Sequence, residues 1–423
     1  MPNLYLFLVA GLALFVAWNL GANDVANSMG TSVGSKALTL KQALTVAGIL
    51  EFIGAVAFSQ AVASSLATEI VNPALFERSP ETLLLGMVAV LLTCGFWLQG
   101  ATRLGLPVAS SHAVVGAIAG FSWVAAGPQA VRWAQLGQIG LAWVLTPLIS
   151  GLMAALFYAI ARRWILTPPN PVVQLREWIP WLSAALFGIF GVVVFPTLFA
   201  RPLFASLPLP PHTLSVAAGS FAALGLAIAS WKGLERAIIV SNSSDNEKSQ
   251  LQVVERLLGR FQVASACSVA FAHGSNDVGN AIAPLAAIVY ILQAKAVPLT
   301  AFPVPLWILV LGGIGIVLGL AVQGKNVIAT VGEEIIALQP SSGFCAELAT
   351  AATILLASRF GLPASTSHAL VGAVVGIGLL RDRAGVGFST LKSVILAWAV
   401  TLPIAVLGSA IAFSFLRWVL LRA

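Results

Sequence analysis

Asn23-Asp24 and Asn276-Asp277 each set an amide beside a carboxylate inside an apolar stretch long enough to cross a bilayer. The surrounding octapeptides are near copies half a chain apart: Gly21-Ala22-Asn23-Asp24-Val25-Ala26-Asn27-Ser28 and Gly274-Ser275-Asn276-Asp277-Val278-Gly279-Asn280-Ala281. A carboxylate at membrane depth is expensive, so function is its default reading, with interhelical hydrogen bonding as the structural alternative. Oxygens of Asn23, Asp24, Asn27, Asn276, Asp277 and Asn280 form a hard set, suited to a small cation and unsuited to a soft metal.

A second motif is duplicated with them. Gly105-Leu106-Pro107-Val108-Ala109-Ser110-Ser111-His112-Ala113 returns as Gly361-Leu362-Pro363-Ala364-Ser365-Thr366-Ser367-His368-Ala369. Proline breaks helical hydrogen bonding, and loose backbone is tolerated in a membrane only when buried in protein or facing water. The tip of a helical hairpin meets that condition. A helix starting near Ser110 or Ser365 would present free N–H groups and a positive dipole end, with hydroxyls adding donors. Two such ends facing each other would bind an oxyanion through Ser110, Ser111, Ser365, Thr366 and Ser367, with Asn23, Asp24, Asn276 and Asp277 beside them. Ordinary helix capping is the alternative for the hydroxyls.

Other polar residues in apolar sequence are accessory candidates. His112 and His368 follow the hydroxyl clusters and fit either substrate contact or hydrogen-bonded packing. Arg103 and Arg359 each precede the hairpin proline by four residues, where snorkelling to an interface accounts for them better than anion balance. Glu51 and Glu347 suit a cation or proton path or a structural hydrogen bond, and Gln60 and Gln323 are similar.

These residues must be positioned by membrane helices. The chain of 423 residues is 59% hydrophobic and only 9% charged, with a mean hydropathy of +0.95, whereas soluble domains carry about 25% charged residues. About ten to twelve spans of about 20 residues fit, with no room for a soluble domain. The net charge of +7 sits mostly at the ends of apolar runs and reads as topogenic, excluding nucleic acid as a partner. Without a basic leading region or a small-residue cleavage site, the segment from Leu4 reads as the first span. Cys94, Cys267 and Cys345 lack metal-ligand spacing and read as packing residues. No His-Glu-x-x-His or Gly-x-Ser-x-Gly motif appears, so the chain is not read as an enzyme.

The repeats fix the organisation. Asn23 and Asn276 are 253 positions apart, Pro107 and Pro363 are 256 apart, and Trp143 and Trp398, in a third shared motif, are 255 apart. The chain therefore reads as a first repeat over 1–160 with a hairpin at about 83–126, linking spans over 161–231, a polar loop over 232–260, and a second repeat over 261–423 with a hairpin at about 343–380. The loop carries Lys232, Arg236, Lys248, Arg256 and Arg260 and should be cytoplasmic. Counting spans outward puts Lys325, Glu333 and Glu334 on the same side, Arg381 and Arg383 too only if the second hairpin is re-entrant, and Lys36, Lys41, Arg162 and Arg163 there once the matching first hairpin opens from the outside. The halves then have opposite orientation. This is an all-α polytopic membrane protein with an inverted repeat, the plan of secondary transporters that bind substrate at the midplane.

Taken together, the paired Asn-Asp motifs, the two Gly-Leu-Pro…His-Ala hairpins and Ser342-Gly343-Phe344-Cys345-Ala346-Glu347-Leu348 resemble the inorganic phosphate transporter (PiT) family across essentially the whole chain. The resemblance implies cation-coupled import of inorganic phosphate, with sulfate as the anion of a minority of members. Asn276-Asp277-Val278-Gly279-Asn280-Ala281-Ile282-Ala283-Pro284 looks like the sodium-coupled branch. It implies Na+ as coupling ion, with H+ as the alternative and no organic cofactor. Ala109 stands where many members have a hydroxyl, so the resemblance does not imply equal anion contacts from the two hairpins. The short central loop resembles prokaryotic members, implying a multi-pass protein of the cell's inner (plasma) membrane. Expected partners are inorganic phosphate, sodium ions, the lipid bilayer and a second copy in a homodimer. An anion channel using the same helix ends is the competing reading.

Overall fold

With no water in hydrocarbon, each backbone N–H and C=O must be satisfied within its own segment, and helices do this. The computed structural model describes residues 2–199, 210–240, 247–325, 328, 336 and 338–422, and nearly all of them are helical. The first half holds α1 (Pro2–Gly34), α2 (Leu40–Phe58), α3 (Gln60–Thr68), α4 (Pro80–Arg103), α5 (Ser110–Ala126) and α6 (Trp133–Ala161). Then come α7 (Pro171–Ile189), α8 (Phe195–Phe199) and α9 (Pro211–Val240). The second half holds α10 (Glu247–Ala294), α11 (Leu306–Gln323), α12 (Pro340–Arg359), α13 (Thr366–Arg381) and α14 (Phe388–Arg422). Ten helices among the described residues are long and apolar enough to span a membrane, and large apolar side chains such as Phe7, Phe96, Leu152, Phe221 and Ile411 face outward.

The halves pack by exchange. α1 lies on α11 while α10 lies on α2, and α5 lies on α14 while α13 lies on α6. α1 also meets α10 directly, as expected for the axis of a pseudo-two-fold. Glycines permit the close approach: a Cβ on Gly21 of α1 would strike the Ile316 carbonyl of α11, and one on Gly274 of α10 would strike the Glu51 backbone of α2. Small residues at helix crossings supply van der Waals contact that lipid cannot. The architecture is an all-α polytopic inverted repeat.

Each expected hairpin is a packed pair of helices, α4–α5 and α12–α13, joined by six residues. The first leg of each ends in the same turn. Leu106 N–H bonds to Ala101 O at 3.0 Å and Gly105 N–H to Thr102 O at 3.1 Å, while Leu362 N–H bonds to Ala357 O and Gly361 N–H to Ser358 O, both at 3.0 Å. Gly105 and Gly361 take φ of +66° and +67°, the left-handed conformation that closes a helix in this way. The following proline prevents the helix from resuming.

The polar stretch from Lys232 to Arg260 is mostly helix where it is described, ending α9 and beginning α10. Val253, Val254, Leu257, Leu258 and Phe261 recur at helical spacing and are buried, while Arg256 and Arg260 are exposed, so the start of α10 is amphipathic. Residues 241–246, Glu333 and Glu334 lie outside the described residues.

A buried carboxylate cluster beneath two converging helix N-termini

Asn23 closes the first hairpin tip from α1. Its Nδ2 donates to Leu106 O at 2.9 Å and to Thr102 Oγ1 at 3.2 Å, and its Oδ1 accepts from Val108 N–H at 3.2 Å. The side chain thus takes up backbone groups on both sides of Pro107. Asn276 repeats the pattern from α10, donating to Leu362 O and Ser358 Oγ, both at 3.1 Å. Here the symmetry breaks: Ala364 N–H turns to Leu362 O at 2.8 Å, and Asn276 Oδ1 is buried without a donor. Both asparagines, expected as ligands, spend their N–H groups on holding the hairpins.

One residue further along each helix sit the carboxylates. Asp24 and Asp277 are both 2% exposed. Asp277 Oδ2 accepts from Thr366 Oγ1 at 2.5 Å and lies 3.0 Å from His273 Nε2. Asp24 Oδ1 accepts from Asn27 Nδ2 at 3.2 Å, and its Oδ2 lies 4.0 Å from the same histidine nitrogen. On its other side His273 Nδ1 is 3.1 Å from Glu51 Oε1, which also accepts from Ser28 Oγ at 2.9 Å. A histidine ring donates from both nitrogens only when protonated. Three carboxylates therefore share one potential cation.

Asp24 Oδ2, Asn27 Oδ1, Asn276 Oδ1, Asp277 Oδ1 and Asn280 Oδ1 are all buried without a hydrogen-bond donor. Asp24, His273 and Asp277 bring ligand atoms within 4.8 Å of one another. Unsatisfied oxygens in a low-dielectric interior are costly to leave bare. A hard cation satisfies them where the protein supplies no donor.

Above this floor the first turns of α5 and α13 converge. The rings of His112 and His368, each the third residue of its helix, are 4.8 Å apart. Trp143 of α6 and Trp398 of α14 flank them at 3.8 and 3.7 Å, making a four-ring stack across the repeat interface. His112 Nδ1 contacts Trp398 O at 3.3 Å. The stacked rings join the two helix starts, and His112 Nε2 and His368 Nδ1 are buried without a partner. Asn280 Nδ2 donates to Ser110 Oγ at 3.4 Å, linking α10 to the opposite hairpin, and Ser111 Oγ is buried without a partner. Ser365 Oγ caps α13 by accepting from His368 N–H at 3.3 Å and lies 3.0 Å from Ser367 Oγ, whereas Ala109 gives α5 no side-chain cap. Two helix N-termini and their hydroxyls thus face each other above buried carboxylates, a geometry suited to an oxyanion and its counter-cations together.

Four accessory candidates divide. Glu51 belongs to the cluster through His273. Glu347 forms a separate buried knot, accepting from Thr31 Oγ1, Ser32 Oγ and Ser265 Oγ at 2.6 Å each and from Gln262 Nε2 at 3.2 Å. Gln60 is exposed at the start of α3. Gln323 ends α11 with a buried, unpartnered Oε1, and no hydrogen bond among the described residues joins it to the cluster. The sequence reading passed over His273, whose signal was an ionisable residue one helical turn before Asp277. It also passed over Gln262 and Ser265, about two to three turns earlier on the same helix.

The whole arrangement has known counterparts. Residues 20–409 match the Phosphate transporter family. The chain belongs to that family. A phosphate permease homologue of Pyrococcus abyssi is 37% identical over 99% of this chain and 98% of its own length. The chloroplastic inorganic phosphate transporter 2-1 of Arabidopsis thaliana is 38% identical over 92% of this chain and 68% of its own. A solved sodium-dependent phosphate transporter superposes with a TM-score of 0.87 at 34% identity, covering 98% of this chain and 99% of that one. As a member of the phosphate transporter family the chain is a multi-pass membrane transporter and not an enzyme.

Proposed function

We propose that the protein imports inorganic phosphate by symport with sodium across the inner membrane of a prokaryotic cell. The observation that carries this reading is the meeting of the α5 and α13 first turns directly over Asp24 and Asp277. The unpaired oxygens of Asp24, Asn27, Asn276, Asp277 and Asn280 hold sodium, and the charge it brings offsets carboxylates that His273 alone does not balance. Phosphate then joins the ions, held by the hydroxyls of Ser110, Ser111, Thr366 and Ser367 and by the N–H groups opening α5. Asp277, already paired with Thr366, is placed to take the hydrogen of a protonated phosphate oxygen. The similarity to a sodium-dependent phosphate transporter supports sodium over the proton.

In this reading residues 1–160 and 261–423 are the two inverted repeats, both hairpins are re-entrant, and rocking of one repeat against the other exposes the site alternately. The basic stretch around Lys232–Arg260 faces the cytoplasm. Purified protein in liposomes tests it: labelled phosphate should accumulate against its gradient when sodium is higher outside. Uptake indifferent to sodium, or merely equilibrating as through a channel, overturns sodium symport. Competition by sulfate reads the anion preference.

A further inference from the structure

Arg359 is separated from the central site by one residue. Ser358, its neighbour, accepts from Asn276 Nδ2 at 3.1 Å and from Ser275 Oγ at 3.4 Å. The Arg359 guanidinium itself is exposed, donates to Thr197 Oγ1, and forms no ion pair among the described residues. It is the shared wall of two cavities. One, of about 350 Å³, sets Gln60, Thr197, Ser275 and Ser358 among apolar residues such as Phe58 and Val194; the other, of about 490 Å³, is lined by Gln60, Ser65, Phe302 and Gly361 among others. A snorkelling arginine needs only an interface. This one stands among hydroxyls and an amide, beside a chamber that reaches the residues bracing the site.

We propose that Arg359 is the centre of an outer antechamber, a second oxyanion site that captures phosphate from outside before it enters the central site. A guanidinium has five N–H donors in a planar fork that matches two phosphate oxygens. The Thr197 hydroxyl leaves donors for such a ligand. Gln60, Ser65 and Thr197 supply neutral polar groups around it, so the site is attractive without a competing carboxylate. An uncompensated cation at a chamber mouth also raises the local concentration of anions. The side follows from α10: its basic end, at Glu247, belongs to the cytoplasmic stretch, and the loop beyond its other end, with Phe302, lines the larger cavity. The assignment rests on the phosphate-import reading and its topology. Arg103, the counterpart in the first repeat, has the same place at the opposite hairpin tip and would face the other side.

The experiment uses the full chain in liposomes under an inward sodium gradient, reading initial rates of labelled phosphate uptake. Arg359→Gln should raise the phosphate KM about tenfold while leaving the sodium dependence and the maximal rate near those of the unsubstituted protein. Arg359→Lys should fall between, and Arg103→Gln should leave the external KM unchanged. Arg359→Cys separates charge from packing: a positively charged methanethiosulfonate added outside should restore the KM, and a negatively charged one should not. The unsubstituted protein controls for Cys94, Cys267 and Cys345. An unchanged KM in Arg359→Gln, or equal restoration by both reagents, overturns the antechamber while leaving phosphate symport standing. Unsubstituted protein that accumulates no phosphate overturns both.

Discussion

In the first hairpin Asn23 satisfies the backbone on both sides of Pro107, α5 starts at an alanine, and the first leg, α4, has 56% of its most apolar window buried. In the second, Asn276 holds one side of Pro363 and keeps an unpartnered oxygen, Ser365 caps α13, and the leg α12 is 89% buried. The second leg also carries Glu347 in its four-donor knot, and Glu255 of α10 takes the Ser341 N–H at 2.9 Å and its hydroxyl at 2.7 Å. The equivalent of Glu347 in the first repeat is Leu91, and the equivalent of His273 is Leu20. Two copies of one motif thus divide the work. The second is locked into the protein by buried charge, and the first leaves the start of its second helix without a side-chain cap.

That division can be broken experimentally, and its largest consequence lies at the aspartates. Asp277→Asn removes the negative charge that faces His273 and leaves a single amide oxygen for Thr366, and unpairing a buried charge costs about 3–5 kcal/mol. Sodium-driven phosphate uptake should fall by at least a hundredfold. Asp24→Asn, which gives up the charge on one of the unpaired oxygens but stands farther from His273, should fall by less. Equal losses in the liposome assay would deny the asymmetry.

The Glu347 knot comes next. Glu347→Gln keeps the volume but turns an acceptor of four hydrogen bonds into one that cannot accept them all, at about 1–3 kcal/mol per unsatisfied buried group. Thermal unfolding in detergent should shift downward clearly, whereas Leu91→Met, a volume-conserving change at the matching buried position of the first hairpin, should shift it less. A larger shift for Leu91→Met would show that the first hairpin is the more tightly held.

Capping gives a smaller effect with an informative sign. Ala109→Ser supplies the missing cap on α5, worth about 1 kcal/mol, and that cap competes with phosphate for the same N–H groups. Stability should rise slightly while the phosphate KM increases about fivefold. A lower KM would mean that the added hydroxyl itself binds the anion. The smallest change is expected in the ring stack: Trp143→Phe and Trp398→Phe each give up part of an aromatic contact worth about 0.5–1.5 kcal/mol. Trp143→Phe should cost the more, because Trp143 Nε1 donates to Pro363 O at 3.2 Å whereas Trp398 Nε1 is buried without a partner. Equal losses would show that the asymmetry stops short of the scaffold.

The class of the fold and the two halves of the site were legible because membrane burial makes polar residues rare. Asn23, Asp24, Asn276, Asp277 and the Ser/Thr clusters stand out against apolar sequence, and their order and spacing reveal duplication. The hairpins were legible through Pro107 and Pro363, which no continuous membrane helix needs at matching positions. The partners of those residues were not. Asn23 and Asn276 read as ligands, yet their donors are engaged by hairpin backbone 83 and 86 positions away. The polarity of Lys232–Arg260 read as loop because charge density hid a helical stripe of Val and Leu.

Sequence alone determined that the chain is a membrane helix bundle built twice, with an Asn-Asp motif and a hydroxyl-rich proline motif in each copy. Composition and repetition are properties of the string, and the absence of water in hydrocarbon leaves helices as the economical solution. Only the tertiary structure decided which groups share a site. The exchange of partners between repeats brings Ser110 to Asn280, Glu51 to His273 and His112 to His368. Those pairs are 170 or more positions apart, and their meeting depends on how closely glycine lets the helices cross.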